Sequence, residues 1–111
     1  MSAKTDRELL ELAAKAAGIE IRWQSYGNYF VICDIDDEGI EAVWNPILDD
    51  GDALRLAVKL GIIIDTGDGV HVQYVIDCIA WPISELDFTD IYAATRRAIV
   101  RAAAEIGRNM K

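Results

Sequence analysis

The chain has 111 residues, of which 52% are hydrophobic and 27% are charged, and its formal net charge is −8. This is the length of one domain, which we assign to residues 1–111, and the hydrophobic fraction is large enough for a core, which argues against intrinsic disorder. The acidic balance argues against binding to a nucleic-acid phosphate backbone, because such binding needs clustered lysine and arginine.

The N-terminal segment and the apolar runs predict a cytoplasmic protein. Residues 1–18 are charged and amphipathic, and they lack the apolar core of a signal peptide. The longest apolar runs, such as the one at 70–76, are far shorter than a membrane span. Cys33 and Cys78 fall in strand-like stretches, where we expect two reduced and buried thiols, although the sequence leaves a disulfide between them open.

The first half of the chain predicts one helix followed by three strands. Thr5 and Glu8 form a capping box, apolar residues follow at helical spacing, and Gly18 ends a helix predicted over 6–17. Alternating polarity, or enrichment in aromatic and β-branched residues, then predicts strands at 19–24, 29–35 and 40–44.

The middle of the chain predicts a second helix and a hairpin. Acidic residues at 49–52 can cap free amides and favour the positive end of a helix dipole, so a helix begins there and ends at Gly61. Strands at 62–65 and 70–77 flank Thr66-Gly67-Asp68-Gly69, which is a strong turn signal.

The C-terminal part predicts an irregular stretch and a long helix. Residues 78–87 show no clear period and are interrupted by Pro82. Thr89 or Asp90 then caps a helix that reaches about Ile106, with Gly107 as its stop. The order α-β-β-β-α-β-β-α predicts an α+β fold, with helices packed on a mainly antiparallel sheet of about five strands.

Two strings in these elements resemble segments of small proteins from temperate phages and prophages. The first comprises Trp44-Asn45-Pro46 and the stretch at 49–60, and the second is the stretch at 92–107. They are similar to the phage α-β-α sandwich domain family, most of whose members have no known function. The resemblance covers essentially the whole chain and implies a sandwich-like fold and a phage accessory protein in the host bacterial cell. It supplies no catalytic residues.

Two acidic clusters carry the residue types of a cation site, but simpler structural roles explain both. The stretch at 34–39 partly mimics a calcium loop, yet its twelfth position is Asn45, which cannot give a bidentate carboxylate. The cluster at 49–52 is explained by capping, and a metal-dependent enzyme built on it is the weakest hypothesis. The lone His71 is interpreted as a surface residue. We expect no catalytic residue, metal or cofactor, and therefore no enzyme.

The charge layout and one tryptophan predict an interaction surface. Eight acidic residues and no basic one lie between Arg22 and Arg55, whereas the last helix is basic. Trp23 and Trp44 are predicted core residues, but Trp81 lies beside Pro82 in the irregular stretch and is a candidate interface anchor. An acidic face of this kind can attract a basic partner over long range. The candidate surface consists of Asp34, Asp36, Asp37, Glu38, Asp49, Asp50, Asp52 and Trp81.

The sequence therefore supports a non-enzymatic accessory protein that acts by protein–protein contact. Its partner would be a protein, for example a basic host protein, with no direct contact to nucleic acid or membrane, and a homodimer is a further hypothesis. The alternative function is an acidic mimic of nucleic acid that inhibits a host defence or DNA-binding protein. In that case, binding would be sensitive to salt.

Overall fold

The computed structural model describes residues 5–25, 27–32, 42–85 and 88–110. The described residues form an α+β fold with three helices and two three-stranded antiparallel sheets. The helices are α1 (Asp6–Ala17), α2 (Asp50–Leu60) and α3 (Ile91–Arg108). The strands are β1 (Ile21–Gln24), β2 (Tyr29–Ile32), β3 (Ala42–Trp44), β4 (Ile63–Asp65), β5 (Val70–Ile76) and β6 (Ile79–Glu85).

The caps predicted for the first two helices are confirmed. The Thr5 hydroxyl accepts a hydrogen bond from the Glu8 amide at 3.2 Å, and the Asp49 carboxylate accepts one from the Asp52 amide at 2.8 Å. Both helices end at a glycine in the left-handed region, with φ of 68° at Gly18 and 66° at Gly61. These two glycines let the chain reverse without the steric cost that a side chain would impose.

The expectation of one sheet with about five strands is wrong, because the described residues form two separate sheets, β1-β2-β3 and β4-β5-β6. The stretch predicted to be irregular contains strand β6, which pairs along its whole length with β5. Pro82 is tolerated there because β6 is an edge strand, where a missing amide breaks no second ladder.

The turn between β5 and β6 also corrects the expectation for Cys78. Asp77 and Cys78 form a two-residue turn in which both residues have positive φ, 53° and 67°. This conformation matches the twist of a hairpin but normally uses asparagine or glycine. Cys78 is therefore an exposed free thiol at a hairpin tip rather than a buried strand residue, and Cys33 lies outside the described residues.

Helix α3 lies in the middle of the fold and is buried on several sides. It packs against α1, α2 and the sheet β4-β5-β6, with small buried residues at Ala98, Ala102 and Ala103. Arg97 pairs with Asp6 at 2.8 Å near the start of α1, and further along both helices Lys15 contacts the Met110 carbonyl at 3.1 Å. Helices α1 and α3 therefore run side by side in the same direction.

Gly107 was expected to stop α3, but it lies inside the helix, which continues to Arg108 and is capped by Asn109. It is buried, and a Cβ atom at this position would overlap the backbone carbonyl of Leu12 in α1. The glycine therefore permits a close approach of two helices.

The two sheets contribute to the core in different ways. From β4-β5-β6, Val70, Val72 and Ile83 are buried against α3, while the opposite face is open to solvent. In β1-β2-β3, Trp44 is 3% exposed, which confirms its predicted core position. Trp23 is partly buried, and its ring meets Phe30 edge-on at 4.8 Å. Within the described part of the chain, no helix is long and apolar enough to cross a membrane.

Replacing Gly107 with alanine is expected to lower the free energy of unfolding by about 2 kcal/mol, because the added methyl group forces α1 and α3 apart. This loss outweighs the better helix propensity of alanine. Gly51→Ala is the matched control, since an added Cβ in α2 meets only the movable side chains of Arg55 and Asp49. Urea titration followed by tryptophan fluorescence measures both variants. Equal stability of the two would contradict the close contact.

Replacing Cys78 with glycine is expected to raise the free energy of unfolding by about 1 kcal/mol, because it removes a side chain from a left-handed position. Cys78→Ala removes the thiol but keeps the Cβ atom, so it should give no such gain. Thermal unfolding of both variants under reducing conditions checks this prediction. A similar gain from alanine would show that the thiol, and not the backbone, is responsible.

Candidate interaction surface

The three acidic residues predicted at the start of α2 hold this end of the helix in place. Asp49 is the N-cap residue. Asp52 accepts hydrogen bonds from the Asn45 amide at 2.9 Å and from Arg55 at 2.7 Å, and its side chain is only 12% exposed. Asp50 pairs with Arg96 of α3 at 2.6 Å. In this cluster the carboxylates thus serve capping and helix–helix contact, and Asp49 and Asp50 also remain accessible to a partner.

The remaining acidic residues of the predicted surface, Asp34, Asp36, Asp37 and Glu38, lie outside the described residues. The calcium-like stretch at 34–39 lies there too. Among the residues that the structure does describe, no three histidine, cysteine, aspartate or glutamate side chains are grouped so that they could hold a metal ion.

Trp81 lies far from the acidic end of α2. It is 47% exposed on the inner face of the edge strand β6, in a cleft that also includes Tyr74 and Arg108. Arg96, which pairs with Asp50, lies twelve residues before Arg108 in α3, a separation of about 18 Å along the helix axis. The structure therefore does not bring Trp81 together with the acidic cluster of α2.

His71 bridges two neighbours on the outer face of the second sheet. One ring nitrogen lies 2.7 Å from the Ser84 hydroxyl, and the other lies 2.7 Å from the Asp68 carbonyl oxygen. The ring is partly buried, and these contacts tie the β4–β5 turn to the adjacent strands. Its role is structural, in keeping with its expected place on the polar face.

A groove that the sequence did not predict lies between α2, β4 and the start of α3. Its volume is about 380 Å³, and its walls are mostly apolar. Several of these apolar side chains are well exposed: Leu54 is 59% exposed and Tyr92 is 70% exposed. The lining residues are Asp50, Ala53, Leu54, Ile64, Thr66, Ile91, Tyr92, Thr95, Arg96 and Ile99.

One signal in the sequence could have indicated this groove. Helix α2 buries Leu56 and Ala57, but it also carries Leu54 and Val58, four residues apart and largely exposed. A helix with apolar residues beyond one stripe has a second face that is not covered by its own core. We refer to the lining residues together with Val58 as the apolar groove.

The charged groups close to the apolar groove are paired or lie elsewhere. Arg96, a basic lining residue, is engaged by Asp50 and by the Ile47 carbonyl oxygen at 2.8 Å. Asp65 lies opposite His71 in the sheet, so its side chain is on the outer face, away from Ile64 and the groove. Asp90 caps α3, accepts hydrogen bonds from the Tyr92 and Ala93 amides at 2.9 and 3.3 Å, and lines a different cleft. The contact surface of the groove is therefore mainly apolar.

Comparisons with known protein families, with curated proteins and with solved structures found no match for this chain.

The Tyr74 phenol gives the protein a testable dependence on alkaline pH. Burial raises its pKa above the usual value, Glu105 raises it further, and Arg108 acts in the opposite direction. The folded chain therefore keeps this proton to higher pH than the unfolded chain, so stability falls as the pH rises through about 10. As the pH rises, the free energy of unfolding of Tyr74→Phe is therefore expected to fall less than that of the wild type.

Urea titrations between about pH 9 and about pH 11 measure this effect. Tyr92→Phe serves as the control, because this side chain is 70% exposed. The control should follow the wild-type slope of stability against pH. If Tyr74→Phe did so as well, the assignment to Tyr74 would be wrong.

Proposed function

We propose that this protein is a non-enzymatic phage or prophage accessory protein that acts by binding another protein. The observation that carries the proposal is the apolar groove, in which leucine, isoleucine and tyrosine side chains stand open to solvent. Contiguous exposed apolar surface of this kind is typical of protein interaction sites. The phage context rests on the resemblance noted in the sequence for the stretches at 49–60 and 92–107, and both stretches contribute residues to the groove.

The chemistry of the groove supports binding rather than catalysis. Its two charged lining residues, Asp50 and Arg96, are paired with each other at 2.6 Å. The hydroxyl of Thr95 donates to the Ile91 carbonyl at 2.7 Å. These polar groups are therefore bonded within and between the helices. The remaining surface of the groove is mostly apolar and is suited to a protein contact.

A second candidate function is an acidic nucleic-acid mimic that inhibits a basic host protein. The formal net charge of −8 and the stretch from Leu60 to Thr95, which contains no lysine or arginine, favour it. The two functions differ in their dependence on salt. A contact made by carboxylates alone weakens steeply as salt rises, whereas a contact with an apolar centre persists.

Affinity capture with matched variants tests the proposal. Tagged wild-type protein, Leu54→Asn and Ile79→Asn are incubated with nuclease-treated bacterial lysate at about 50 mM and about 500 mM salt, and bound proteins are quantified by mass spectrometry. Ile79 is the control because it is 55% exposed, close to the 59% of Leu54, but lies at the β5–β6 hairpin and not in the groove.

The proposal predicts a protein that is retained at high salt by wild type and Ile79→Asn and is lost from Leu54→Asn. A partner that is lost at high salt from every variant, and is bound equally by all three at low salt, would favour the mimic. If no captured protein depends on Leu54 at either salt concentration, the proposed function is contradicted. Capture of the chain by itself would indicate a homodimer.

A further inference from the structure

We propose that Ser84 is a nucleophilic serine that accepts an apolar acyl group from an activated ester, with His71 as its general base. The two side chains lie on the outer face of the sheet β4-β5-β6, whereas Ile64 and the apolar groove lie on the opposite face. The inference therefore goes beyond the proposed function and does not depend on it.

The pairing of β5 with β6 places Ser84 beside His71. The two-residue turn at 77–78 makes Ile76 and Ile79 a hydrogen-bonded pair. Along an antiparallel ladder such pairs alternate with non-hydrogen-bonded pairs, in which the side chains lie closer together. His71 and Ser84 are the fifth pair beyond the pair at the turn, so they belong to the second class.

The hydrogen bonds of His71 determine which ring nitrogen carries the proton. Nε2 lies 2.7 Å from the Asp68 carbonyl oxygen, which can only accept, so Nε2 is the protonated nitrogen. In the neutral ring Nδ1 then has a free lone pair, and the Ser84 hydroxyl, 2.7 Å away, donates to it. The contacts that tie the turn to the strands therefore also provide a nucleophile, a base and a group that orients the base.

The same alternation leaves a main-chain donor free next to the nucleophile. The amide of Ser84 points away from β5, toward the open edge of β6. Among the described residues no acceptor binds this N–H. An N–H in this position can donate to the oxyanion that forms when the Ser84 hydroxyl attacks a carbonyl group.

The surface beside Ser84 indicates which acyl groups fit. Pro82 and Ala80 are the next residues on this face of β6, and Val75 of β5 lies opposite Ala80. All three are exposed. From Ser84 to Ala80 this apolar strip is about 13 Å long, which is enough for an extended octanoyl chain. An apolar acyl chain would lie on the strip and lose contact with water.

The reaction moves the acyl group from the ester to the Ser84 oxygen. As Oγ attacks the acyl carbon, its proton passes to Nδ1 of His71. The bond from the acyl carbon to the leaving-group oxygen then breaks, and the proton passes from His71 to that oxygen. The products are an ester at Ser84 and a free alcohol or phenol. The inference thus describes a modification of the protein and requires no turnover.

Acylation by p-nitrophenyl octanoate tests the inference. Peptide mapping by mass spectrometry gives the rate of acylation at each serine. Ser25 is the matched control within the same molecule, because it is also exposed, whereas the single histidine of the chain is bonded to Ser84. All proteins carry Cys78→Ala, since that exposed thiol would compete for the ester. Ser84 should react about 100-fold faster than Ser25.

Two variants and a second ester identify the groups responsible. His71→Gln keeps hydrogen-bonding groups but removes the base, and should lower the rate at Ser84 about 100-fold. Ser84→Ala should abolish the fast acylation and leave the rate at Ser25 unchanged. With p-nitrophenyl acetate the preference for Ser84 over Ser25 should be smaller, because an acetyl group does not reach the apolar strip. Thermal unfolding confirms that both variants are folded, and the comparison of Ser84 with Ser25 needs neither variant.

Equal rates at Ser84 and Ser25 would overturn the proposal, as would a fast reaction at Ser84 that persists in His71→Gln. An equal preference for Ser84 with both esters would overturn the assignment of an apolar acyl chain. None of these substitutions alters the apolar groove, so failure here would leave the proposed function standing.

Discussion

Helix α3 can occupy the middle of this small fold because its neighbours approach it over small side chains. Ala98 and Ala102 are fully buried, and Gly107 lets the backbone of α1 come so near that no Cβ atom would fit. Helix α1, helix α2 and the sheet β4-β5-β6 all pack on α3, so contact with α3 fixes where each of them lies. The ion pairs Asp6–Arg97 and Asp50–Arg96 then join α1 and α2 to its first half.

This central packing also accounts for the groove. The pairing of Arg96 with Asp50 and with the Ile47 carbonyl brings the start of α2 beside the start of α3. The side chains of Leu54 and Tyr92, which lie on the outer sides of these helices, are then left facing solvent. The same contacts that stabilise the fold therefore pair the charged side chains of the groove with each other and leave its apolar side chains exposed.

Local signals predicted the helices well, but non-local contacts decided the rest. Capping at Asp49 and the glycine after α2 act within a few residues, so the sequence alone predicts them. The hairpin at Cys78 has no turn glycine, so the sequence carries no turn signal there. Strand β6 and the division into two sheets were therefore not predicted. A glycine near a helix end, such as Gly107, can end the helix or permit a close contact with another helix. Which of the two roles applies depends on the neighbouring helix α1, which the local sequence does not show. The exposure of Leu54 likewise depends on where α3 lies.

The proposed function requires that a partner protein binds in the apolar groove between α2, β4 and the start of α3. An NMR titration of the isotope-labelled protein with the protein captured from the lysate tests this requirement, because each backbone amide reports on its own surroundings. We expect the largest shift changes at the amides of Leu54, Ile64 and Tyr92. Changes concentrated in the cleft around Trp81, or on the open face of the second sheet around Val75, would contradict it.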